Sequence, residues 1–379
     1  MKIVIASDSF KGCLPSLEVA ESIKSGILEV LPNADVSCLA ISDGGEGFVK
    51  SIIENCGGKI VSAEVCNPLG VKISSFYGIS KDGNTAFIES AAASGITLIP
   101  EHLRNPMVTT SFGTGELILE AIETGCRKIV IGLGGSATTD GGVGALQALG
   151  VKFLDKTEKE IKRGGGFLCD INTIDTSDLD KRINDCKIIL VCDVNNPLFG
   201  KSGASYVYAE QKGASKEEIK ILDDNLKHLA EKVNFFLNKD ISTIPGGGAA
   251  GGLGAGLSAF LDADIKSGTN FLLEMINFHE QIKDADFVIT GEGSLDSQTQ
   301  FGKAPYQIAQ ICSRQNIPVA AVCGCVKIGT NTSVFNKVYH LTSCRITEEY
   351  AIKNVKELLR ETGKQITIDF SCKGKETDV

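Results

Sequence analysis

The chain has 379 residues, more than one compact core usually holds, so two domains are expected. Its formal net charge is −9 with no tryptophan, which argues against nucleic-acid backbone, stacked bases or an anionic membrane as the main partner. Thirteen cysteines form no C-x-x-C pair and mostly sit in apolar runs, which points to reduced thiols and a cytoplasmic protein, and no apolar run approaches the length of a membrane span.

Residues 2–6 read as a strand, followed by the loop Ser7-Asp8-Ser9-Phe10-Lys11-Gly12. Leu17, Val19, Ala20, Ile23, Ile27 and Leu31 then keep helical spacing, with Ser16 as the N-cap and Pro32 as the stop. Residues 36–41 form a second strand, and Asp43-Gly44-Gly45-Glu46-Gly47 leads into a helix that ends at Gly57-Gly58. This βαβα rhythm predicts a parallel, doubly wound sheet with its loops at the carboxyl strand ends. The rhythm then breaks: 60–65, 73–79 and 85–89 read as consecutive strands joined by turns. Helices follow around 90–94 and 114–124.

Next comes the stretch on which the chain is centred. The strand Ile129-Val130-Ile131 runs into Gly132, Gly134, Gly135, Ser136, Thr138, Thr139, Asp140, Gly141, Gly142 and Gly144, and then into a helix. Strand, glycine loop and helix start together build an anion site, because free N–H groups and the helix dipole favour negative charge. Residues 188–192 form a strand that ends at Asp193, 216–237 an amphipathic helix, and 246–256 a second glycine-rich stretch. From Ala285 the alternation returns with a strand at 287–289, the loop 290–296, a helix at 305–313, strands at 319–323 and 338–341, and a last helix at 351–361. The expected fold class is α/β with two α/β domains. A Rossmann/flavodoxin-like parallel-sheet domain comes from both chain ends, 1–66 and 285–379, and an inserted mixed α/β domain, 67–284, carries the glycine-rich phosphate loops.

The chemistry-bearing residues sit at predicted strand ends. Lys11 can neutralise a phosphate or carboxylate beside Asp8 and Ser9, or simply be a loop lysine. Asp43 faces little steric cover from the glycines after it, whereas Glu46 suits a helix N-terminus. Asp140 serves the glycine loop, a helix cap, or both. Asp193 is placed to hold Mg²⁺ or orient an attacking hydroxyl, with an Asx turn before Pro197 as the plainer role. Glu292 and Asp296 suit Mg²⁺, with Lys303 near enough in sequence to meet a phosphate; a solvated charged turn is the alternative. The four histidines have no ligand spacing, which counts against a zinc site and a Ser–His–Asp hydrolase, and there is no Walker-type loop.

Several motifs stand in a telling order: Asp8-Ser9-Phe10-Lys11-Gly12, Asp43-Gly44-Gly45-Glu46-Gly47, Phe112-Gly113-Thr114-Gly115-Glu116, Gly134-Gly135-Ser136-Ala137-Thr138, Cys192-Asp193-Val194, Gln211-Lys212-Gly213-Ala214, Gly291-Glu292-Gly293 and Gly302-Lys303-Ala304-Pro305. Over nearly its whole length the chain thereby resembles the bacterial glycerate kinase family, of the D-glycerate 2-kinase type. Two positions depart: Ser294 stands where the family often has arginine, and Thr139 where it often has asparagine. The resemblance implies ATP-dependent phosphorylation of D-glycerate to 2- or 3-phosphoglycerate with Mg²⁺, by two α/β domains with the active site in the cleft, as a monomer or homodimer. It assigns Gly134, Gly135, Ser136, Thr138, Asp140, Gly251 and Gly252 to the ATP phosphates. Asp193 would orient or deprotonate the hydroxyl, Lys11 would act with it, and Glu292 and Asp296 would hold the metal. Asp8, Ser9, Asp43 and Lys303 would line the substrate site. Two other classes compete. A nicotinamide-dependent dehydrogenase wants G-x-G-x-x-G after the first strand, where this chain has Ser7-Asp8-Ser9-Phe10, and an organic-acid sensor has no need of so many carboxylates on glycine loops.

Overall fold

The N-terminal segment supplies two strands, β1 (Lys2–Ser7) and β2 (Asp35–Ala40), each rich in small and β-branched side chains that suit burial on both faces. The middle of the chain supplies β3 (Lys59–Cys66), β4 (Lys72–Ile79), β5 (Thr85–Glu89), β6 (Lys128–Gly132), β7 (Lys152–Leu154), β8 (Thr173–Asp175), β9 (Lys187–Val191) and β10 (Asp264–Lys266). The tail supplies β11 (Phe287–Leu295), β12 (Val319–Val326) and β13 (Lys337–His340). The computed structural model describes residues 1–10, 12–42, 44–296, 303–343 and 346–371.

Two units result, Met1–Asp43 with Thr269–Val379, and Gly44–Gly268. The first holds a five-stranded sheet in the order β13-β12-β11-β1-β2, parallel throughout. Counted within this unit, the order is 2-1-3-4-5, that of flavodoxin-like sheets, with the second unit inserted between its second and third strands. Its core packs Ile3, Ile5, Phe287 and Ile289 of the sheet with Ile23 and Ile27 of the helix Ser16–Val30 and Leu359 and Ile366 of the helix Val355–Ser371.

The second unit holds a six-stranded mixed sheet, β10-β9-β6-β5-β4-β3. β5, β6, β9 and β10 run parallel, while β4 is antiparallel to both β3 and β5. Helices Phe112–Glu123 and Val143–Ala148 pack on it through Leu117, Ile118 and Leu146, and a longer helix, Lys216–Leu237, adds Leu226, Leu229 and Val233. That long helix starts with a complete capping box, the Ser215 hydroxyl accepting from the Glu218 N–H and the Glu218 carboxylate from the Ser215 N–H.

Four details differ from the sequence reading. The units part at 43/44 and 268/269 instead of 66/67 and 284/285. The helix Phe48–Cys56 lies on β4 and β5, and β3 pairs with β4, so residues 44–66 belong with the second sheet. Ser16 does not cap its helix; its hydroxyl donates to the Ser7 carbonyl and accepts from the Ile41 N–H, tying together the ends of β1 and β2. β11 does not stop at Ile289 but continues through Glu292 to Leu295, because β12 extends alongside it and pairs with it there. The last helical region divides at Asn354, and its second helix runs on to Ser371 because Leu359 and Ile366 have core to fill.

Candidate active site

At the carboxyl edge of the first sheet, β1 and β11 are the strands between which chain order reverses. Crevices at such switch points bind ligands in open α/β sheets. Asp8 leaves β1 and is held there by its own N–H, which donates to the Gly291 carbonyl of β11 at 2.8 Å. Its buried carboxylate accepts the Ser9 N–H at 2.6 Å. On β11, Glu292 is nearly buried, and Asp296 follows just past the strand end. The Lys303 ammonium lies 3.3 Å from Glu292 Oε2 and 3.5 Å from Asp296 Oδ1. Proline at the start of the helix Ala304–Arg314 fixes the chain just after Lys303, its missing N–H being one the first turn would leave unpaired anyway. Asp8, Ser9, Glu292, Asp296 and Lys303 all line one cavity of about 700 Å³.

These side chains pass a simple test for Mg²⁺. The ion takes one or two carboxylates and completes its shell with water and phosphate oxygens, and Glu292 and Asp296 already converge on a single cation, the Lys303 ammonium. Among the described residues no cluster of three or more histidine, cysteine, aspartate or glutamate side chains is arranged to hold a metal alone. Magnesium bound here would complete its shell with water and phosphate oxygens.

The central glycine loop of the second unit is built differently. Asp140 is completely buried, and its carboxylate accepts from the Ser111 N–H at 2.8 Å, the Ser111 hydroxyl at 2.9 Å, the Gly142 N–H at 3.2 Å and the Gly144 N–H at 3.3 Å. Burial raises its pKa and these donors oppose the rise. Lys212 reaches in from a distant turn, donating to the Ser136 hydroxyl at 3.0 Å and the Thr138 carbonyl at 2.7 Å. Burial lowers its pKa to about 7 against the raising influence of Asp140. Gly251 and Gly252 lie in a left-handed kink that begins at Ala250 and is pressed onto this loop. Gly251 accepts from the Gly141 N–H at 3.0 Å, and a Cβ on it would overlap the Thr138 carbonyl. Of the expected phosphate residues here, Gly135 is exposed and Gly134 partly so; Ser136, Thr138, Asp140, Gly251 and Gly252 are buried and shape the loop. The Asp140 carboxylate is committed to the protein's own donors and faces no solvent, and two of those donors, the Gly142 and Gly144 N–H groups, lie at the start of the helix Val143–Ala148, where the sequence offered it a capping role.

Asp193 follows β9 and is half-buried. Its Oδ1 accepts the Ser267 hydroxyl at 2.8 Å, Ser267 lying just past the end of the adjacent strand β10. At the end of β5, Glu89 accepts the Val49 N–H at 2.8 Å and a bond from the Gly47 N–H, holding the start of the helix after the Asp43–Gly47 motif. Burial raises its pKa to about 7, only partly offset by those two bonds. Residues 44–45 of that motif cross the ends of β6 and β9, so close that a Cβ on Gly134 would overlap Gly45. Lys11 and Asp43, both expected at the site, lie outside the described residues.

Sequence reasoning gave no role to Lys212, Glu89 or Ser267. Lys212 had a signal, a lone lysine inside Gln211-Lys212-Gly213-Ala214, and Glu89 had another, an acid closing an apolar strand. Ser267 had none.

Comparison with known proteins agrees with this architecture. The family model described as "Glycerate kinase family" matches residues 3–371. A glycerate kinase from Bacillus cereus is 45% identical over 97% of both chains, and the glycerate 2-kinase of Escherichia coli is 50% identical over 86% of this chain and 85% of its own. A crystal structure from Salmonella typhimurium LT2, provisionally named glycerate kinase 2, superposes with a TM-score of 0.87 at 44% identity and covers 99% of each chain. With its motifs in order, its sheets matched along the whole length and relatives this close, the chain belongs to the glycerate kinase family of phosphotransferases.

Proposed function

We propose that this protein transfers the terminal phosphoryl group of ATP to D-glycerate, using Mg²⁺ in the cytoplasm and giving 2-phosphoglycerate and ADP. The observation that carries this reading is the convergence of Asp8, Glu292, Asp296 and Lys303 on one cavity at the β1/β11 switch point. The similarity to a protein named glycerate 2-kinase favours the C2 hydroxyl as acceptor.

The reaction needs an in-line approach of the glycerate oxygen to phosphorus, and most of the catalysis is positioning and charge neutralisation. Asp193, steadied by Ser267, orients the hydroxyl and takes its proton as the new P–O bond forms and the bond to ADP breaks. Lys303 is held by two acids and can turn to the transferred phosphoryl as a point charge. Asp8 and Ser9 border the acceptor, and Lys11 and Asp43 are assigned to the same reaction from the sequence. Gly134 and Gly135 offer backbone N–H groups to phosphate oxygens. Glu292 and Asp296 would hold Mg²⁺, which supplies charge neutralisation of the phosphates when bound.

Phosphorus NMR of the product mixture from D-glycerate, ATP and Mg²⁺ tests the reading. A 2-phosphoglycerate resonance growing with ADP is the expected result. A 3-phosphoglycerate resonance would move the acceptor to C3, and ATP left intact in the presence of glycerate would overturn the proposal.

A further inference from the structure

The cavity at the β1/β11 switch point is far larger than its acidic end requires. About 700 Å³ lies within the roughly 300–1,000 Å³ typical of sites for drug-sized ligands. A three-carbon acid would leave most of it to water. Away from Asp8, Glu292, Asp296 and Lys303 the wall changes character. It is formed by Leu341, just past β13, by Ile346, and by Ala351, Ile352 and Val355 on the two C-terminal helices. Leu341, Ala351 and Val355 are buried, whereas Ile352 is half exposed and presents apolar surface at the rim. Thr342 and Thr347 stand among them as neutral hydrogen-bonding groups, and the exposed Glu348 carboxylate lies beside Thr347 at the rim.

One cavity thus has a charged end and a mostly apolar end, with a few neutral polar groups and one exposed carboxylate at its rim, close to the division of a nucleotide's own chemistry. Its position agrees, since open sheets of this order bind their ligands at the switch point, where flavodoxins hold a mononucleotide. We propose that the apolar end formed by Leu341, Ile346, Ala351, Ile352 and Val355 seats the adenine nucleoside of ATP, with the phosphates running toward Lys303 and the Glu292–Asp296 pair. The inference rests on the kinase reading above and adds to it the place of the nucleoside, which no sequence motif marked. Lys327, exposed and lining the same cavity, adds a second cation for the phosphate chain.

Two variants test it. Ile352→Asp puts a charge at the exposed rim, where folding tolerates it, and Ala351→Phe fills the seat from within. Titration calorimetry with MgADP alone and initial-rate kinetics are the readouts, with urea unfolding to confirm that each variant folds. The expected result is a loss of MgADP affinity and a rise in KM for ATP of about fivefold or more, with KM for glycerate changing less than twofold. Folded Ile352→Asp with wild-type MgADP affinity, or a rise in KM for glycerate alone, would overturn the seat. Glycerate turnover by the wild type would leave the kinase reading standing in that case. Wild-type protein that binds MgADP but transfers no phosphoryl group to glycerate would overturn the kinase reading, while weakened MgADP binding in both variants would still support the seat.

Discussion

The two units place similar residues at the ends of parallel strands and use them in opposite ways. At the end of β11, Glu292 and Asp296 line a cavity and share a half-exposed lysine. After β6, Asp140 is sealed from water, and Lys212, equally buried, is bound to the loop around it. The first arrangement leaves charge where a ligand can reach it. The second uses charge to hold a loop that has too few side chains to hold itself. Acids on glycine loops at strand ends are therefore of two kinds, and their hydrogen-bond partners tell them apart.

Substitution should separate the kinds most clearly at Asp193 and Asp140. Asp193 is half-buried with a hydroxyl partner, so Asp193→Asn should keep the fold and lower kcat by about two to four orders of magnitude if it positions or deprotonates the acceptor. Near-normal kcat would remove it from the mechanism. Asp140→Ala should act on stability instead. It strands the Ser111, Gly142 and Gly144 donors in the interior, and unsatisfied buried groups cost about 1–3 kcal/mol each, so a loss of about 3 kcal/mol or more is expected in urea unfolding. A folded Asp140→Ala with wild-type stability and lost activity would place Asp140 with the first kind.

The sequence revealed the strand ends and the glycine loops because those signals are local: a short apolar run, then residues that only a turn tolerates. It also carried the sheet class, since βα alternation at both termini of the chain implied one parallel sheet with an insertion. The partners were not legible. Lys212 lies 76 residues from Ser136, and Ser267 lies 74 from Asp193, and nothing in local spacing links them. The full length of β11 was hidden for the same reason. Gly291 and Gly293 read as a loop until β12 is laid beside them. The nucleoside seat is a further case, since its wall is assembled from ordinary core residues of separate elements.

Lys212 sharpens the comparison through pH. Its pKa falls from the ordinary 10.5 to about 7 in the fold, so between those values the unfolded chain holds a proton that the native protein does not. Stability contributed at this position therefore rises as pH increases from about 7 toward 10. Lys212→Met cannot titrate, so the wild type should gain on it by about 1.4 kcal/mol per pH unit at most across that window. Equal slopes for both proteins in urea titrations at pH 7, 8 and 9 would show that the ammonium is not desolvated.

Glu89 should give the smallest effect and the opposite sign. Burial raises its pKa from 4.5 to about 7, so between those values the native protein holds a proton that the unfolded chain has released. Its contribution to stability is present in full below pH 4.5 and is lost as pH rises through about 7. Glu89→Gln keeps an oxygen for the Val49 and Gly47 N–H groups but stays neutral throughout. The variant should therefore gain on the wild type by about 1–3 kcal/mol between pH 5 and pH 8, measured as the difference in urea unfolding free energy at each pH. The gain also ties the pH response to the Asp43–Gly47 motif, because the carboxylate that ionises is the one bonded at the start of the helix that motif leads into. A difference that stays constant from pH 5 to pH 8 would mean that burial does not hold the Glu89 proton, and the contrast between sealed and open carboxylates would not extend to β5.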